Sequence, residues 1–173
     1  MKKTVTGIIL FLISILFFNA CTVGGREMFF DIDDRVIDNK MKQFVKALEN
    51  QDKDTLKSMF SKRVLDEVED FDEKLDLLSV FIGEEDLSWN RTGGPGTEEG
   101  INDDGTGRIW KEIFATYDIE TSERSFHASI KICSKDKSSD AIGIISFCII
   151  RAEDWIEEYN YWGDLDVPGI VIG

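Results

Sequence analysis

The chain has 173 residues, of which 34 are acidic and 20 are basic, and its formal net charge at pH 7 is −14. A surface this acidic repels phosphate groups, so no nucleic-acid partner is expected. One histidine and three scattered cysteines give no ligand spacing for zinc, so no metal and no other cofactor are expected.

Residues 1–20 have the pattern of an export signal. Two lysines precede an uncharged, mostly apolar run over residues 5–18, which is shorter than the ~20 apolar residues of a membrane-spanning helix. The run is followed by Ala20 and then Cys21. Cleavage before Cys21 would remove two lysines and no acid, so the net charge would change from −14 to −16.

Phe18, Asn19, Ala20 and Cys21 resemble the lipobox of bacterial lipoproteins. In that family the small residue before the cysteine fits the signal peptidase, and the cysteine thiol, which alone can form a thioether, receives a diacylglycerol. The resemblance implies that residues 21–30 form a lipidated cysteine and a short tether. It also implies a lipid anchor on the extracytoplasmic face of a bacterial membrane. An uncleaved anchor helix with an unmodified cysteine is the alternative.

Residues 31–173 are predicted to form one α+β domain, with helices in the first half and strands in the second. The first half contains apolar residues at helical spacing: Ile37, Met41, Phe44, Val45 and Leu48, then Leu56, Met59, Phe60, Val64, Leu65, Val68, Phe71, Leu75, Leu78 and Ile82. This spacing predicts one amphipathic helix followed by two or three more. The expected N-caps are Asp33 or Asp34, Asp52 or Asp54, and Ser61.

Residues 91–107 are rich in glycine and acidic residues, which predicts a loop between the helical half and the strand-rich half. After this stretch, alternating apolar residues predict strands in "IWKEIFATYDIE", "SFHASIKIC" and "AIGIISFCIIRAE". Short polar connections predict that these three strands form an antiparallel meander. A short last strand is expected after a turn at Asp166–Gly169.

The stretch "ALENQDKDTLKSMFS" resembles the opening of nuclear transport factor 2-like domains, in which a long first helix ends in a polar turn before a short second helix. Residues 60–62, 151–154, 161–164 and 168–170 are similar to a group of Firmicute lipoproteins that contain a domain of unknown function. The resemblance implies a cone, in which a curved antiparallel sheet wraps around the helices and leaves an apolar mouth. It implies no activity.

The glycine-rich stretch carries neither a phosphate-binding loop nor a calcium-binding loop. No Gly-Lys-Ser/Thr triplet opens a helix, as a P-loop requires. Asn102, Asp104 and Gly105 match positions of a calcium-binding loop, but Gly100 and Lys111 stand where its first and last ligands belong.

Aromatic residues of the strand-rich half are the candidate ligand-binding residues: Trp110, Phe114, Tyr117, Trp155 and Trp162. They are interpreted as walls of the cone mouth, which would bind a small apolar ligand, a peptide or an envelope protein without catalysis. Packing of the same rings in the core is the alternative.

A second hypothesis is an enzyme that resembles isomerases and dehydratases of the ketosteroid isomerase type, with an acid or histidine inside the cone. Asp118, Tyr117 and His127 are its candidate catalytic residues. Because Tyr117 and Asp118 are adjacent in a predicted strand, at most one of them can face the pocket.

Cys133 and Cys148 are expected to remain unbridged. If "SKDKSSD" is the hairpin loop, Cys133 lies opposite Asp140 or Ala141, and Cys148 lies opposite Phe126 and on its face. The offset is about 23 Å along a strand, beyond the ~7 Å Cα limit of a disulfide. Cys148 is expected to be buried and Cys133 to be less buried.

Overall fold

The computed structural model describes residues 24–83, 86–101, 107, 109–155 and 165–173, except for the side chains of residues 24–31. Internal contacts divide the chain into two units, residues 1–35 and 36–173. The second unit holds the hydrophobic core and the sheet.

Helix α1 runs from Gly24 to Glu49. The prediction of an N-cap at Asp33 or Asp34 is wrong, because the helix begins upstream of both. Residues 26–32 contain neither proline nor glycine, so no residue in that stretch interrupts the helix. The start at Gly24 also places part of the expected tether within the helix. Across the described ranges, no helix is both long and apolar enough to span a membrane.

Three shorter helices follow, and their bounds are Lys53–Met59 (α2), Lys62–Glu67 (α3) and Phe71–Ile82 (α4). The predicted N-caps of α2 and α3 are confirmed. Asp52 Oδ1 accepts a hydrogen bond from the Thr55 backbone N–H at 3.0 Å, and Ser61 Oγ accepts one from the Val64 backbone N–H at 3.3 Å. Asp52 also accepts a bond from the Thr55 hydroxyl at 2.6 Å. Hydrogen bonding to the Thr55 side chain and backbone lowers the pKa of Asp52.

A five-stranded sheet follows the helices, with strands in the spatial order β1-β2-β3-β4-β5. Their bounds are Ser88–Ile101 (β1), Ile109–Glu120 (β2), Ser125–Lys135 (β3), Gly143–Arg151 (β4) and Gly169–Ile172 (β5). Strands β1 to β4 pair antiparallel, whereas β5 pairs parallel with β4. The predicted meander and short last strand are therefore confirmed. The strand order leaves β1 and β5 as edges, so the sheet is open.

Strand β1 corrects the prediction that residues 91–107 form a loop. Gly96 pairs with Phe114, and Gly100 pairs with Trp110. A Cβ atom added to Gly96 would collide with the Phe114 ring, and one added to Gly100 would lie 2.8 Å from Trp110 Nε1. The aromatic rings of β2 thus occupy the space above these glycines, a known means of stabilising glycine in a sheet. The glycines are required by cross-strand packing, which composition alone does not distinguish from a loop.

The hydrophobic core lies between the helices and one face of the sheet, which we call the inner face. The buried residues that the inner face contributes are Ile113, Ala115, Tyr117, Ile119, Phe126, Ala128, Ile130, Ile132, Ile144, Phe147, Ile149 and Ile170. All the apolar residues of α1 predicted from helical spacing are buried against it. The rings of Phe44 on α1 and Phe147 on β4 have centroids 4.4 Å apart. The opposite face, which carries Phe114, Asp118 and His127, is called the outer face.

The hairpin of β3 and β4 has a different register from the predicted one. Cys133 pairs with Gly143, and Cys148 pairs with Ser129. A 3₁₀ turn at residues 139–141 and an irregularity after Lys131 change the pairing, so Cys148 lies on the outer face rather than on the side of Phe126.

Both thiols are free. The partner of Cys148 is four residues from Cys133, about 13 Å along the strand, which is too far for a disulfide. Cys133 is 3% exposed and Cys148 6%, so the expectation that Cys133 is the less buried is wrong. Burial raises the pKa of the Cys133 thiol, which makes it a poor nucleophile.

Candidate functional site on the outer face of the sheet

Alternation along β2 separates the predicted pocket aromatics. Trp110 and Phe114 are half-buried on the outer face, where they lie over glycines of β1. Tyr117 belongs to the inner face and is fully buried. Tyr117 therefore does not share a face of the sheet with Trp110 and Phe114.

Tyr117 is held in the core by contacts on two sides. Its hydroxyl donates a hydrogen bond to Asp38 Oδ1 at 2.9 Å, and its ring meets that of Trp89 edge-on, with centroids 5.6 Å apart. Arg91 Nη1 lies 3.5 Å from the same Asp38 oxygen. The Tyr117 hydroxyl thus has a carboxylate partner, as a buried phenol requires. At this position the inner face is packed rather than hollow.

Asp118 and His127 come together on the outer face. They are cross-strand neighbours of β2 and β3, and His127 Nδ1 lies 2.7 Å from Asp118 Oδ1. Their side chains are 37% and 36% exposed. The Trp155 ring packs against His127 with centroids 4.9 Å apart. These three residues form a half-exposed cluster of an acid, an imidazole and an indole.

The enzyme hypothesis named both residues singly as candidates, but they lie on the face opposite the core. A carboxylate that accepts from Nδ1 fixes the ring orientation and leaves Nε2 for another partner. Among the described residues, no group of acids, histidines and cysteines could hold a metal ion.

Lys131 is the centre of a second cluster on the outer face. Its ammonium lies 3.0 Å from Glu112, 3.5 Å from Asp166 and 3.7 Å from Glu98, and its side chain is 12% exposed. Burial lowers the pKa of Lys131, but the hydrogen bond to Glu112 and the three negative charges outweigh it, so the pKa is raised. The lysine remains charged and links β1, β2, β3 and the turn before β5.

The outer face carries more negative than positive charge. Glu98, Glu112 and Asp166 contribute three carboxylates around the ammonium of Lys131, and Asp118 contributes a fourth beside His127. Such a surface favours the approach of a cationic group.

Two predicted sites lie outside the described residues: Cys21, expected to carry the lipid, and Trp162, expected in the pocket. The calcium-like stretch at residues 102–106 lies outside them as well.

The pairing of Asp118 with His127 and the central role of Lys131 were missed from the sequence, although a usable signal exists. The turn after β2 is closed by a hydrogen bond from the Thr121 N–H to the Arg124 carbonyl at 2.8 Å. Counting outward from a four-residue turn places Asp118 opposite His127 and Phe114 opposite Lys131, as observed.

Fold and site together define a mixed α+β domain, in which helices pack on one face of an open sheet and a polar and aromatic cluster lies on the other. The chain belongs to the family described as "Domain of unknown function (DUF5104)", whose model matches residues 43–152. The matched stretch includes Asp118, His127 and Lys131 and ends before Trp155. No curated protein matches the chain.

Proposed function

We propose that this chain is a lipid-anchored protein of the bacterial cell envelope whose domain is a non-enzymatic binding module. Cys21 carries the lipid on the extracytoplasmic side, and the outer face binds a polypeptide partner. The observation that carries the proposal is Trp155, which is 37% exposed and packs against the His127 ring. A half-exposed indole beside polar groups is typical of binding surfaces.

The occupied inner face favours a polypeptide over a small apolar ligand. Phe44, Tyr117, Phe126 and Phe147 are each fully buried between the helices and the sheet. A nuclear transport factor 2-like cone and an origin among Firmicute lipoproteins are part of this proposal. Their support is the order of helices before an antiparallel sheet, together with the sequence resemblance.

The charge of the outer face specifies the partner further. Three carboxylates surround Lys131 there and a fourth lies beside His127, and the whole chain has a formal net charge of −14. We therefore propose a basic polypeptide segment with at least one apolar side chain, which would pack on Trp155 while its cations meet Asp118 and Glu98.

Substitution of Trp155 by alanine should weaken binding and leave the fold intact. The probe is a set of lysine- and arginine-rich peptides selected on the wild-type domain from a displayed library. Loss of a binding-surface aromatic costs about 2 kcal/mol or more, so affinity measured by calorimetry should fall at least about thirtyfold. The free energy of unfolding should change by about 1 kcal/mol or less.

Val80→Ala is the matched control, because Val80 is 78% exposed on α4, outside the outer face, and its loss should leave affinity unchanged. Failure to select any basic peptide, or equal binding by the Trp155 variant, would contradict the proposed surface.

Substitution of Cys21 by alanine should abolish the lipid anchor. In a Gram-positive host the wild-type protein should appear in the membrane fraction with the intact mass of a diacylglyceryl chain that begins at Cys21. The variant should lose this mass, since no other side chain at that position forms the thioether, and one acylated residue with two chains holds a protein firmly to a bilayer. A wild-type protein that retains Met1 and lacks lipid would refute this part of the proposal.

An isomerase- or dehydratase-like enzyme is the second candidate function. Its supporting observation is the 2.7 Å contact between His127 Nδ1 and Asp118 Oδ1, which orients an imidazole as a general base requires. Asp118→Asn distinguishes the two functions: an enzyme would lose turnover with ligand affinity retained, whereas a binding surface would lose affinity for basic peptides.

A further inference from the structure

A groove of about 440 Å³ lies between the C-terminal half of α1 and helix α2. Its polar lining residues are Lys40, Gln43, Lys46, Asn50, Asp52, Thr55 and Ser58. Ala47 and Met59 supply apolar lining. The volume is within the range of about 300–1,000 Å³ that is usual for small-molecule sites.

The two lysines of the groove lack the carboxylate partner that several other lysines have. Five lysines elsewhere form ion pairs with carboxylates: Lys53, Lys57, Lys62, Lys74 and Lys131. Throughout the described portion of the chain, no carboxylate forms an ion pair with Lys40 or Lys46. Two cations without a carboxylate ion-pair partner therefore line this one groove.

Asp52 is the acidic residue of the groove lining, and its oxygens already have partners. It accepts hydrogen bonds from the Thr55 N–H at 3.0 Å and the Thr55 hydroxyl at 2.6 Å, which hold it as the N-cap of α2. Charges beyond about 8 Å are screened at physiological ionic strength. Local potential in the groove is therefore set by Lys40, Lys46 and the carboxylate of Asp52, two positive charges and one negative, rather than by the net charge of the chain.

Lys40 and Lys46 are six residues apart on α1, about 9 Å along the helix axis and about 120° around it. Gln43 and Asn50 project from the same side of the helix as the groove, and Thr55 and Ser58 face them from α2. The groove lining therefore combines the ammonium groups of the two lysines with side-chain amides from α1 and hydroxyls from α2.

We propose that this groove binds a small, hydroxyl-rich molecule with two anionic groups, phosphate or carboxylate. Each ammonium binds one anionic group, the amides and hydroxyls between them bind ligand hydroxyls, and Ala47 and Met59 contact the C–H face of a sugar-like ring. The site is formed by helices and does not involve the outer face, so it is independent of the polypeptide surface proposed above.

Titration followed by amide chemical shifts tests the site on the folded chain without its first 20 residues. The probes are fructose 1,6-bisphosphate, digalacturonate and inorganic phosphate. We expect one of the two sugars, each of which has two anionic groups, to bind with a Kd of about 1 mM or tighter, with shifts confined to residues 40–59. Inorganic phosphate should bind at least about tenfold more weakly, because it reaches only one lysine. Preference between the two sugars identifies phosphate or carboxylate as the anionic group.

Lys40→Ala and Lys46→Ala should each weaken the binding of the preferred sugar at least about fivefold. Lys42→Ala is the matched control, because it removes the same charge from α1 at a position outside the groove lining, and it should change affinity by less than about twofold. Equal weakening by the Lys42 variant would show unspecific attraction and overturn the proposal. Absence of shifts at residues 40–59 with both sugars would overturn it as well.

Discussion

Replacing Gly143 by alanine is expected to lower the free energy of unfolding by about 3–5 kcal/mol. Gly143 opens β4 with φ +135°, a conformation that residues with a Cβ rarely adopt. An added Cβ would lie 2.7 Å from the backbone nitrogen of Ser61 and 2.9 Å from the carbonyl carbon of Phe60. Both neighbours are backbone atoms, so no side-chain rotation relieves the contact.

The junction between α2 and α3 is fixed at this point by its own contacts. The Ser61 N–H donates a hydrogen bond to the Ile144 carbonyl at 3.0 Å, and Phe60 forms an isolated parallel bridge with Ile144. Movement of Ser61 away from a new Cβ would break this bond and displace the N-cap of α3. The expected cost therefore combines backbone strain with a lost buried hydrogen bond.

Gly169→Ala is the control for the strain alone. Gly169 opens the neighbouring strand β5 with φ +92°, but its added Cβ would meet a Val68 methyl at 3.3 Å. Its expected cost is about 1–2 kcal/mol. Urea denaturation of both variants separates the two effects, and equal destabilisation would show that contact with the Ser61 backbone contributes nothing.

Most elements of this fold can be predicted from short sequence patterns, because these elements depend on interactions between residues that are close in the chain. Apolar spacing finds α1, since residues such as Ile37, Met41 and Phe44 cover one side of the helix and are buried. The N-caps Asp52 and Ser61 can be predicted from the sequence, because each side chain accepts a hydrogen bond from the backbone N–H of the residue three positions later in the chain.

Strand β1 could not be predicted in the same way, because its glycines are explained by a different strand. Gly96 and Gly100 are covered by aromatic rings of β2. The composition of residues 91–107 alone cannot reveal this packing, because the rings belong to another strand.

The candidate site illustrates the same limit. The pairing of Asp118 with His127 depends on one short turn, so the register is accessible from sequence once the turn length is known. By contrast, Trp155 reaches His127 only after the chain leaves β4 through a 3₁₀ turn at residues 152–154. Hydrophobic periodicity cannot predict the contact between Trp155 and His127, since it depends on the direction in which the chain leaves the sheet after β4.

Replacing Arg124 by alanine is expected to lower the free energy of unfolding by about 2–3 kcal/mol. Its guanidinium donates hydrogen bonds to the carbonyl oxygens of Phe81 at 3.0 Å and Ile82 at 2.9 Å, so it satisfies two acceptors at the C-terminus of α4 and opposes the negative end of the helix dipole. The same group lies 5.8 Å from the centroid of the Phe126 ring.

The turn itself should survive this change, because Thr121 bonds the backbone of Arg124 rather than its side chain. Arg124→Lys should recover less than half of the lost stability, since an ammonium keeps the charge but lacks the planar fork that donates to two carbonyls.

Arg151→Ala is the matched control: its guanidinium lies over Phe81 at 5.3 Å, and loss of that contact alone should cost about 0.5–1 kcal/mol. Chemical denaturation gives the three values, and amide hydrogen exchange should show faster opening of the last turn of α4 in the Arg124 variants only. If Arg124→Ala were no more destabilising than Arg151→Ala, the two carbonyl hydrogen bonds would contribute nothing to the attachment of α4 to the sheet.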